Sequence, residues 1–290
     1  MWWSGEAWVP RKQPTVRQER LGRELRKLRE AAGLSAREAA QLLGTISVTM
    51  SRIESGITGV SEARVRRMAT QYACGDQELI DALVELATDR TRGWWEEYRD
   101  LLAPAFLDLA ELEHHARFLR VIATAHVPGL LQTEDYARAV IRYWVPELPE
   151  GEQELRVAYR MRRQAVLSWE DAVPYEAILH ESVLRTRVAD RRVARAQLDE
   201  LLRQSERPNV SLRLIPFDVD GFGGASSSFV YAGGLVPALD TVQRDTPYGS
   251  AFQDAAAQLH AMRTLFRKVE SASHDPARSR EFIHRLAKEL

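Results

Sequence analysis

The segment that most constrains the fold of this chain is residues 21–56, LGRELRKLREAAGLSAREAAQLLGTISVTMSRIESG. Its apolar residues recur at helical spacing, and Gly33 stands where a helix can end in the left-handed conformation that glycine adopts most easily. Ser35 and Glu38 have the spacing of a capping box at the start of a second helix. Gly44 then supplies a turn, so the segment is predicted to form a helix-turn-helix unit.

The third helix of this unit is predicted to run from about Ile46 to the glycine of SRIESG. Ile46, Met50 and Ile53 are expected to point into the core, which leaves small and polar groups for the outer face. Either Thr45 or Ser47 is the expected N-cap, so the start of the helix is open by one residue. A helix with few large apolar groups on its outer face can lie in the DNA major groove.

The outer face of this third helix is therefore expected to contact DNA. Arg52 is the first candidate for a base contact, because a guanidinium pairs bidentately with guanine; the alternative is a pair with Glu54 or with a phosphate. The remaining candidates are Ser47, Val48, Thr49 and Ser51. Arg37, at the start of the second helix, is expected to bind a phosphate.

The charges of the chain are divided unevenly. Residues 11–72 contain 13 Lys and Arg against 6 Asp and Glu, a net charge of +7, whereas residues 73–290 contain 27 against 34, a net charge of −7. A basic head on an acidic body is typical of a DNA-binding domain fused to a domain with another role. The cations of the first helix are expected on its outer, solvated faces: Arg20, Arg23, Arg26, Lys27 and Arg29.

These motifs resemble the phage-repressor-like helix-turn-helix family, also called the xenobiotic-response-element family. The segment LSAREAAQLLGTISVTMSRIESG matches the family pattern LSxxxLAxxLGVSxxxISRIExG. This chain departs from the pattern at Ala36, where Gln is usual, at Ala39, where Leu is usual, and at Ile46, where a capping Ser is usual. The resemblance implies DNA binding; the alternative is a helical bundle that binds no DNA.

Composition divides the chain into three parts: a Trp- and Pro-rich arm over residues 1–15, a helix-turn-helix domain over residues 16–90 and a second domain over residues 91–290. A chain of 290 residues is long enough for two domains with real cores. The predicted fold class is α+β. An all-α N-terminal domain is followed by a larger mixed domain with a small, mostly antiparallel sheet flanked by helices.

The second domain contains both kinds of periodicity. Helices are predicted over residues 191–206, 250–271 and 276–290, and residues 111–124 alternate like a helix that runs into an apolar stretch, helical or extended. The strand-like segments are 174–181, 209–217, 226–233 and 237–244. Arg160, Arg162 and Arg163 are expected on a solvated helix face, with an extension of the DNA path as the alternative.

The second domain resembles a C-terminal domain of unassigned activity that is fused to this same helix-turn-helix in filamentous actinobacteria. The resemblance rests on GWWEEYRDLL, on PNVSLRLIPF, on SREFIHRLAKEL and above all on VPGLLQTEDYARA at 127–139. The family includes developmental regulators of the WhiJ type and antitoxin-like regulators. The resemblance implies a transcription regulator, often encoded beside a very small partner protein, and it supplies no catalytic or ligand residues.

Two groups of mostly apolar residues are candidates for a partner or ligand site in this part of the chain. They comprise Trp94 and Trp95, together with Leu130, Leu131, Gln132, Thr133 and Tyr136. Aromatic side chains with a few polar groups are typical of binding sites. The alternative is that all of these residues belong to the core, where large apolar residues are mostly found.

Sequence motifs for catalysis and for metal binding are absent: there is no GxGxxG, Walker-type loop, GxSxG or HExxH, and the histidines lack the spacing of metal ligands. The single cysteine, Cys74, excludes disulfides within the chain and fits a reducing cytoplasm. No stretch approaches ~20 apolar residues, and MWWSGEAWVP lacks the basic start and apolar core of a signal peptide.

The expected function is that of a cytoplasmic, sequence-specific transcription regulator. It is expected to bind double-stranded DNA as a homodimer, without a cofactor or metal and without contact with a membrane. Its second domain is expected to sense a small molecule or a small co-encoded protein, and the chain is not expected to be an enzyme. The alternative is an enzyme tethered to DNA, with an active site that no motif reveals.

Overall fold

The computed structural model describes residues 14–89, 91, 93–168, 172–220, 222–224, 228–246 and 249–290. Almost all of the predicted N-terminal arm, residues 1–15, thus lies outside the described residues. The chain divides into two compact units, residues 1–99 and residues 100–290, hereafter the first and second units. No described helix is both long and apolar enough to cross a membrane.

The first unit is helical over residues 14–89. Its α-helices are Val16–Ala31 (α1), Ala36–Leu42 (α2), Ser47–Glu54 (α3), Glu62–Gln71 (α4) and Gln77–Thr88 (α5), and a 3₁₀ turn follows at Trp94–Tyr98. The predicted capping box of α2 is present: Glu38 N donates to Ser35 Oγ and Ser35 N donates to the Glu38 carboxylate. Hydrogen bonds to the Glu38 carboxylate from the Ser35 side chain and then from the Ser35 backbone lower the pKa of Glu38. Gly33, Gly44 and Gly56 all have positive φ, as their places at helix ends require.

Helix α3 is held close to α1 by two glycines. A Cβ on Gly22 of α1 would lie 2.5 Å from the Glu54 carbonyl oxygen, and a Cβ on Gly56 would lie 2.8 Å from the backbone of Gln18. No side chain fits at either place, so the backbones of the two helices approach directly. The core beneath them includes the fully buried Leu25 and Met50.

The second unit, residues 100–290, is a mixed α+β structure. Its helices are Pro104–His115 (α6), Glu134–Trp144 (α7), Glu150–Arg163 (α8), Glu181–Arg185 (α9), Arg191–Gln204 (α10), Ala256–Ala272 (α11) and Pro276–Glu289 (α12). Its strands are Phe118–Ala123 (β1), Tyr175–His180 (β2), Val210–Ile215 (β3), Phe229–Gly233 (β4), Thr241–Thr246 (β5) and Gly249–Gln253 (β6). Short 3₁₀ turns lie at Gly129–Leu131, Gln164–Leu167 and Pro237–Leu239.

The sheet corrects the prediction of a small, mostly antiparallel one. It has six strands in the order β3-β2-β1-β4-β5-β6. β1, β2 and β3 run parallel to one another, and β4, β5 and β6 continue the sheet in antiparallel fashion. Parallel neighbours need long crossovers, which α7 and α8 provide between β1 and β2, and α9 and α10 between β2 and β3.

Strand β1 escaped a clear assignment because it lies in the middle of the sheet. Leu119 and Val121 belong to the core on the face covered by α7, α10 and α12, while Ile122 belongs to the core against α11. Burial on both faces produces a continuous apolar run instead of an alternating one. β6 was assigned to a helix over 250–271, but that helix, α11, begins only at Ala256.

Candidate DNA interface

The outer face of α3 carries the residues that the sequence placed there. Ser47, Ser51 and Arg52 are exposed, Val48 is 62% exposed and Thr49 is partly exposed. Met50 and Ile53 occupy the opposite face and are buried. Because successive residues of an α-helix turn by about 100°, Val48 and Arg52 lie at the centre of the exposed face, flanked by Ser47 and Ser51.

The start of α3 differs from the prediction. Ile46 is not a core residue but the N-cap of α3, and its side chain is 65% exposed. It makes no side-chain cap, whereas α1, α2, α4 and α5 are each capped by a Thr, Ser or Asp side chain. The first backbone N–H groups of α3 therefore have no side-chain acceptor within the described residues, and a helix start of this kind favours an anion.

The cations of the first unit fall into two classes. On α1, Arg23, Arg26 and Lys27 each form an ion pair with a glutamate one turn away. Arg37 and Arg52, in contrast, are exposed and form no ion pair with any described residue. The predicted pair between Arg52 and Glu54 is not formed, because Glu54 is bound to another arginine. Two cations near the start of α2 and on the outer face of α3 are thus available to a polyanion.

Glu54 belongs to a buried ion pair that the sequence analysis missed. Arg29 Nε lies 2.6 Å from Glu54 Oε1 and Nη2 lies 2.9 Å from Oε2, while Nη1 donates to the Leu34 carbonyl at 2.6 Å. Both side chains are over 90% buried, and the hydrogen bond to Glu54 raises the pKa of Arg29. Arg29 was expected on a solvated face. It instead fixes the end of α3 to α1 and to the α1–α2 turn.

Arg20 is a second cation that the sequence placed on the outside and the structure places inside. It is 4% exposed, and its Nε lies 3.2 Å from Glu24 Oε1 one turn further along α1. An arginine stem packs well against apolar neighbours when its head is paired. Arg20 and Arg29 therefore pack and pair within the unit, and the outer face of α3 stays the candidate surface for DNA.

In the second unit, the 127–139 segment lies in the core. Leu130, Leu131 and Tyr136 are 3%, 0% and 2% exposed, and all three belong to the cluster on the α7 face of the sheet. Burial raises the pKa of the Tyr136 hydroxyl, which accepts a hydrogen bond from Val127 N at 3.2 Å. Burial of these three side chains in the core gives no support to direct contact with a partner, which stays a prediction.

The polar residues of the 127–139 segment are also used within the fold. Gln132 Nε2 donates to the Val127 carbonyl at 2.6 Å, and the Gln132 carbonyl accepts from Gln164 Nε2 at 2.7 Å. Thr133 caps α7 through Tyr136 N, and its own N–H donates to Gln197 Oε1 at 2.8 Å. Glutamine side chains from three different places thus fix this segment as a rigid, hydrogen-bonded turn.

Trp94 and Trp95 belong to the first unit. The Trp94 ring meets the ring of Trp95 edge-on at 6.2 Å and that of Tyr98 edge-on at 5.8 Å. Trp95 is 3% exposed, whereas Trp94 remains partly exposed. Trp95 is therefore packed within the group, whereas Trp94 and Tyr98 are both partly exposed.

A possible nucleophile–base pair in the second unit has a structural explanation. His180 Nδ1 lies 2.7 Å from Ser182 Oγ, but that hydroxyl donates to the Thr124 carbonyl at 2.8 Å. The ring nitrogen also accepts from Ser182 N, so His180 acts as the N-cap of α9. No group of three or more potential metal ligands occurs among the described residues. The described side chains thus present no arrangement that we assign to catalysis.

Comparison with known proteins supports the division into two units. Residues 20–83 match the model of a helix-turn-helix domain family. Residues 106–285, more than half of the chain, match the model of a family described as a domain of unknown function, DUF5753. No curated protein and no solved structure gives a significant match to the chain.

Proposed function

The chain belongs to the DUF5753 family and carries a helix-turn-helix domain, and from this premise we propose that it is a sequence-specific transcription regulator whose second unit receives the regulatory signal. The observation that supports the proposal most is the outer face of α3. It is polar or lightly apolar, its helix has no side-chain cap, and its arginine has no carboxylate partner among the described residues. A polar, uncrowded outer face with an unpaired arginine can lie in the major groove and contact base edges.

Each side chain of the face has a role in this proposal. Arg52 contacts the edge of a guanine, and the hydroxyls of Ser47, Thr49 and Ser51 contact base edges or phosphates. The methyl groups of Val48 suit the methyl group of thymine. Arg37, next to the capped start of α2, binds a phosphate.

The exposed Ile46 extends this surface beyond the predicted candidates. Ile46 immediately precedes α3, two residues before Val48. Its side chain is 65% exposed. An apolar group at this place contributes contacts to thymine methyls and nothing to non-specific attraction. The family resemblance, with its usual capping Ser at this position, gives no such role.

We further propose that the protein binds its operator as a homodimer. One helix-turn-helix unit contacts only a few base pairs, and a two-fold pair doubles the specific contact. Selection of binding sites from a random DNA library by the full chain is expected to return an inverted repeat. Its half-sites should lie about 10 base pairs apart, or a multiple of that distance.

A single asymmetric half-site, together with a monomer in light scattering, contradicts the dimer but leaves the DNA-binding proposal intact. A library that returns no enriched sequence contradicts sequence-specific binding itself. These two outcomes are separable, because the first still shows a footprint and the second does not. Binding measured at two salt concentrations then separates specific contacts from general attraction to phosphates.

The second unit is proposed to sense a small molecule or a small partner protein. The proposal rests on the family resemblance and on a mixed α+β unit that is separate from the helix-turn-helix unit. A ligand that binds only the folded state raises the Tm of the chain by mass action. Conversion of that ligand into a product during the incubation, detected by mass spectrometry, would favour the DNA-tethered enzyme instead.

A further inference from the structure

Arg160 of α8 stands apart from the other partly buried arginines of the second unit. Its Nη1 donates one hydrogen bond, of 2.9 Å, to Gln132 Oε1, and it forms no ion pair with any described residue. Gln132 is in turn fixed by its bond to the Val127 carbonyl. A guanidinium has five N–H donors, so most of those of Arg160 remain for another acceptor.

The surroundings of Arg160 are rigid. A Cβ on Gly129 would lie 3.9 Å from Arg160 Cδ and 3.7 Å from Arg163 Nη1, so this turn lies beside the stem of Arg160 and the guanidinium of Arg163. Arg163 Nε lies 2.8 Å from Glu113 Oε2 in a buried pair. Burial opposes the charge of Arg163, but Glu113 outweighs this effect and raises its pKa. Arg163 was expected on a solvated face. It is instead largely buried, and Glu113 holds its guanidinium in place.

The charge of Arg160 is poorly solvated. Burial, followed by the neighbouring Arg163, lowers its pKa to about 10, so the guanidinium is still charged at neutral pH. Burial and the charge of Arg160 also lower the pKa of His126, which keeps that imidazole neutral at pH 7. The exposed carboxylate of Asp245 on β5 acts in the opposite direction and favours the charged forms of Arg160 and His126. It forms no ion pair with Arg160 in the described part of the chain.

We propose that Arg160, with the turn at Gly129–Gln132, forms a binding site for a small oxyanion, the carboxylate or phosphate group of a regulatory ligand. A planar guanidinium binds such a group bidentately, and a desolvated one binds it more strongly than an exposed one. The turn is already fixed by Gln132 and Gln164, so little ordering opposes binding. As the site of regulation, this proposal rests on the sensory role proposed above.

Another charged depression of the second unit shows why Arg160 is distinctive. A depression of about 170 Å³ is lined by Glu176, Arg213 and Glu270, among others. Its charges are balanced within the chain, because Arg213 lies 3.7 Å from Glu270 and Glu176 lies 3.1 Å from Arg120. An anion there would compete with carboxylates already in place. At Arg160, an anion would accept hydrogen bonds from N–H groups that no described carboxylate occupies.

The test uses the full chain and two probes, sodium phosphate and sodium acetate, with sodium chloride at matched ionic strength as the reference. Thermal unfolding is measured for the wild type, Arg160→Gln, Arg160→Lys and Arg195→Gln. Arg195 is the control, since it is an exposed arginine of α10 paired with Asp199. We expect one anion to raise the Tm of the wild type and of Arg195→Gln in a saturable manner. Binding should weaken roughly tenfold or more in Arg160→Gln, with Arg160→Lys between the two.

The anion that gives the larger shift identifies the chemical class of the ligand. Equal shifts in all four proteins would show a general salt effect and overturn the site, as would the absence of a shift in the wild type. DNA binding with and without the anion then separates the two proposals. Anion binding through Arg160 without an effect on DNA binding supports the site and contradicts sensing by it. An operator bound with specificity by a chain that binds no anion leaves the regulator proposal standing and removes the site.

Discussion

The two segments that the sequence marks most clearly, residues 35–56 and residues 127–139, use their polar groups in opposite ways. In residues 35–56, Arg37 and Arg52 reach the surface without a carboxylate partner among the described residues. In residues 127–139, Gln132 and Thr133 bond back to the chain, and Tyr136 is 2% exposed. The first segment therefore leaves charged groups exposed, and the second uses its polar groups within its own unit.

This difference shows how a sequence signature should be interpreted. A distinctive run of residues arises from an external partner or from a demanding local fold, and the residue types alone do not separate the two. Hydrogen bonds do, because a polar group that is already satisfied within the chain has little to offer a ligand. On this criterion the neighbour of the 127–139 segment, Arg160, is a better ligand residue than any of its own members.

The largest effect is expected from Tyr136→Ala. Removing an aromatic ring from the packed core on the α7 face should cost about 3–5 kcal/mol of the free energy of unfolding of the second unit. Urea denaturation followed by circular dichroism measures it. A variant that stays as stable as the wild type but loses a ligand would return Tyr136 to the binding surface and remove the contrast between the two segments.

A smaller but still large effect is expected from Glu54→Gln. The change leaves the buried guanidinium of Arg29 without its anion, which should destabilise the first unit by about 3 kcal/mol. DNA binding should weaken with it, since α3 loses an anchor to α1. The matched control is Glu62→Gln, which removes an exposed partner of Arg66 and should leave stability unchanged. If Glu54→Gln is as stable as the control variant, the Arg29–Glu54 pair does not stabilise the first unit.

Arg52→Ala is expected to act on DNA and not on folding. The loss of a bidentate base contact should cost roughly 1–3 kcal/mol on the operator and relax the preference at one base pair. Fluorescence anisotropy with the operator and with its single-base variants measures both. If affinity for random DNA falls by the same factor, Arg52 binds a phosphate and the base contacts come from the other residues of α3.

The smallest effect is expected from Arg37→Ala. Binding should weaken uniformly across DNA sequences, and the slope of log K against log salt should fall by about one unit. Arg26→Ala is the control, because Arg26 is paired with Glu30 and should not change the slope. A change in sequence preference in Arg37→Ala would assign this residue to a base edge.

The first unit was largely predictable because its information is local. The spacing of Ser35 and Glu38 predicted the capping box that is present at the start of α2. The predictions that failed in the first unit depend on contacts between different helices. Ile46, Arg20 and Arg29 were placed on the wrong side, because their burial depends on which helix lies across from them.

The sequence by itself determined the helix-turn-helix, the capping box of α2, the exposed face of α3 and the presence of a mixed second domain, since each follows from the local pattern of residues. Tertiary structure decided the parallel order of β1, β2 and β3, the pairing of Arg29 with Glu54 and the isolation of Arg160. The physical reason is range: strand order and the pairing of a buried charge depend on residues 25 or more positions away.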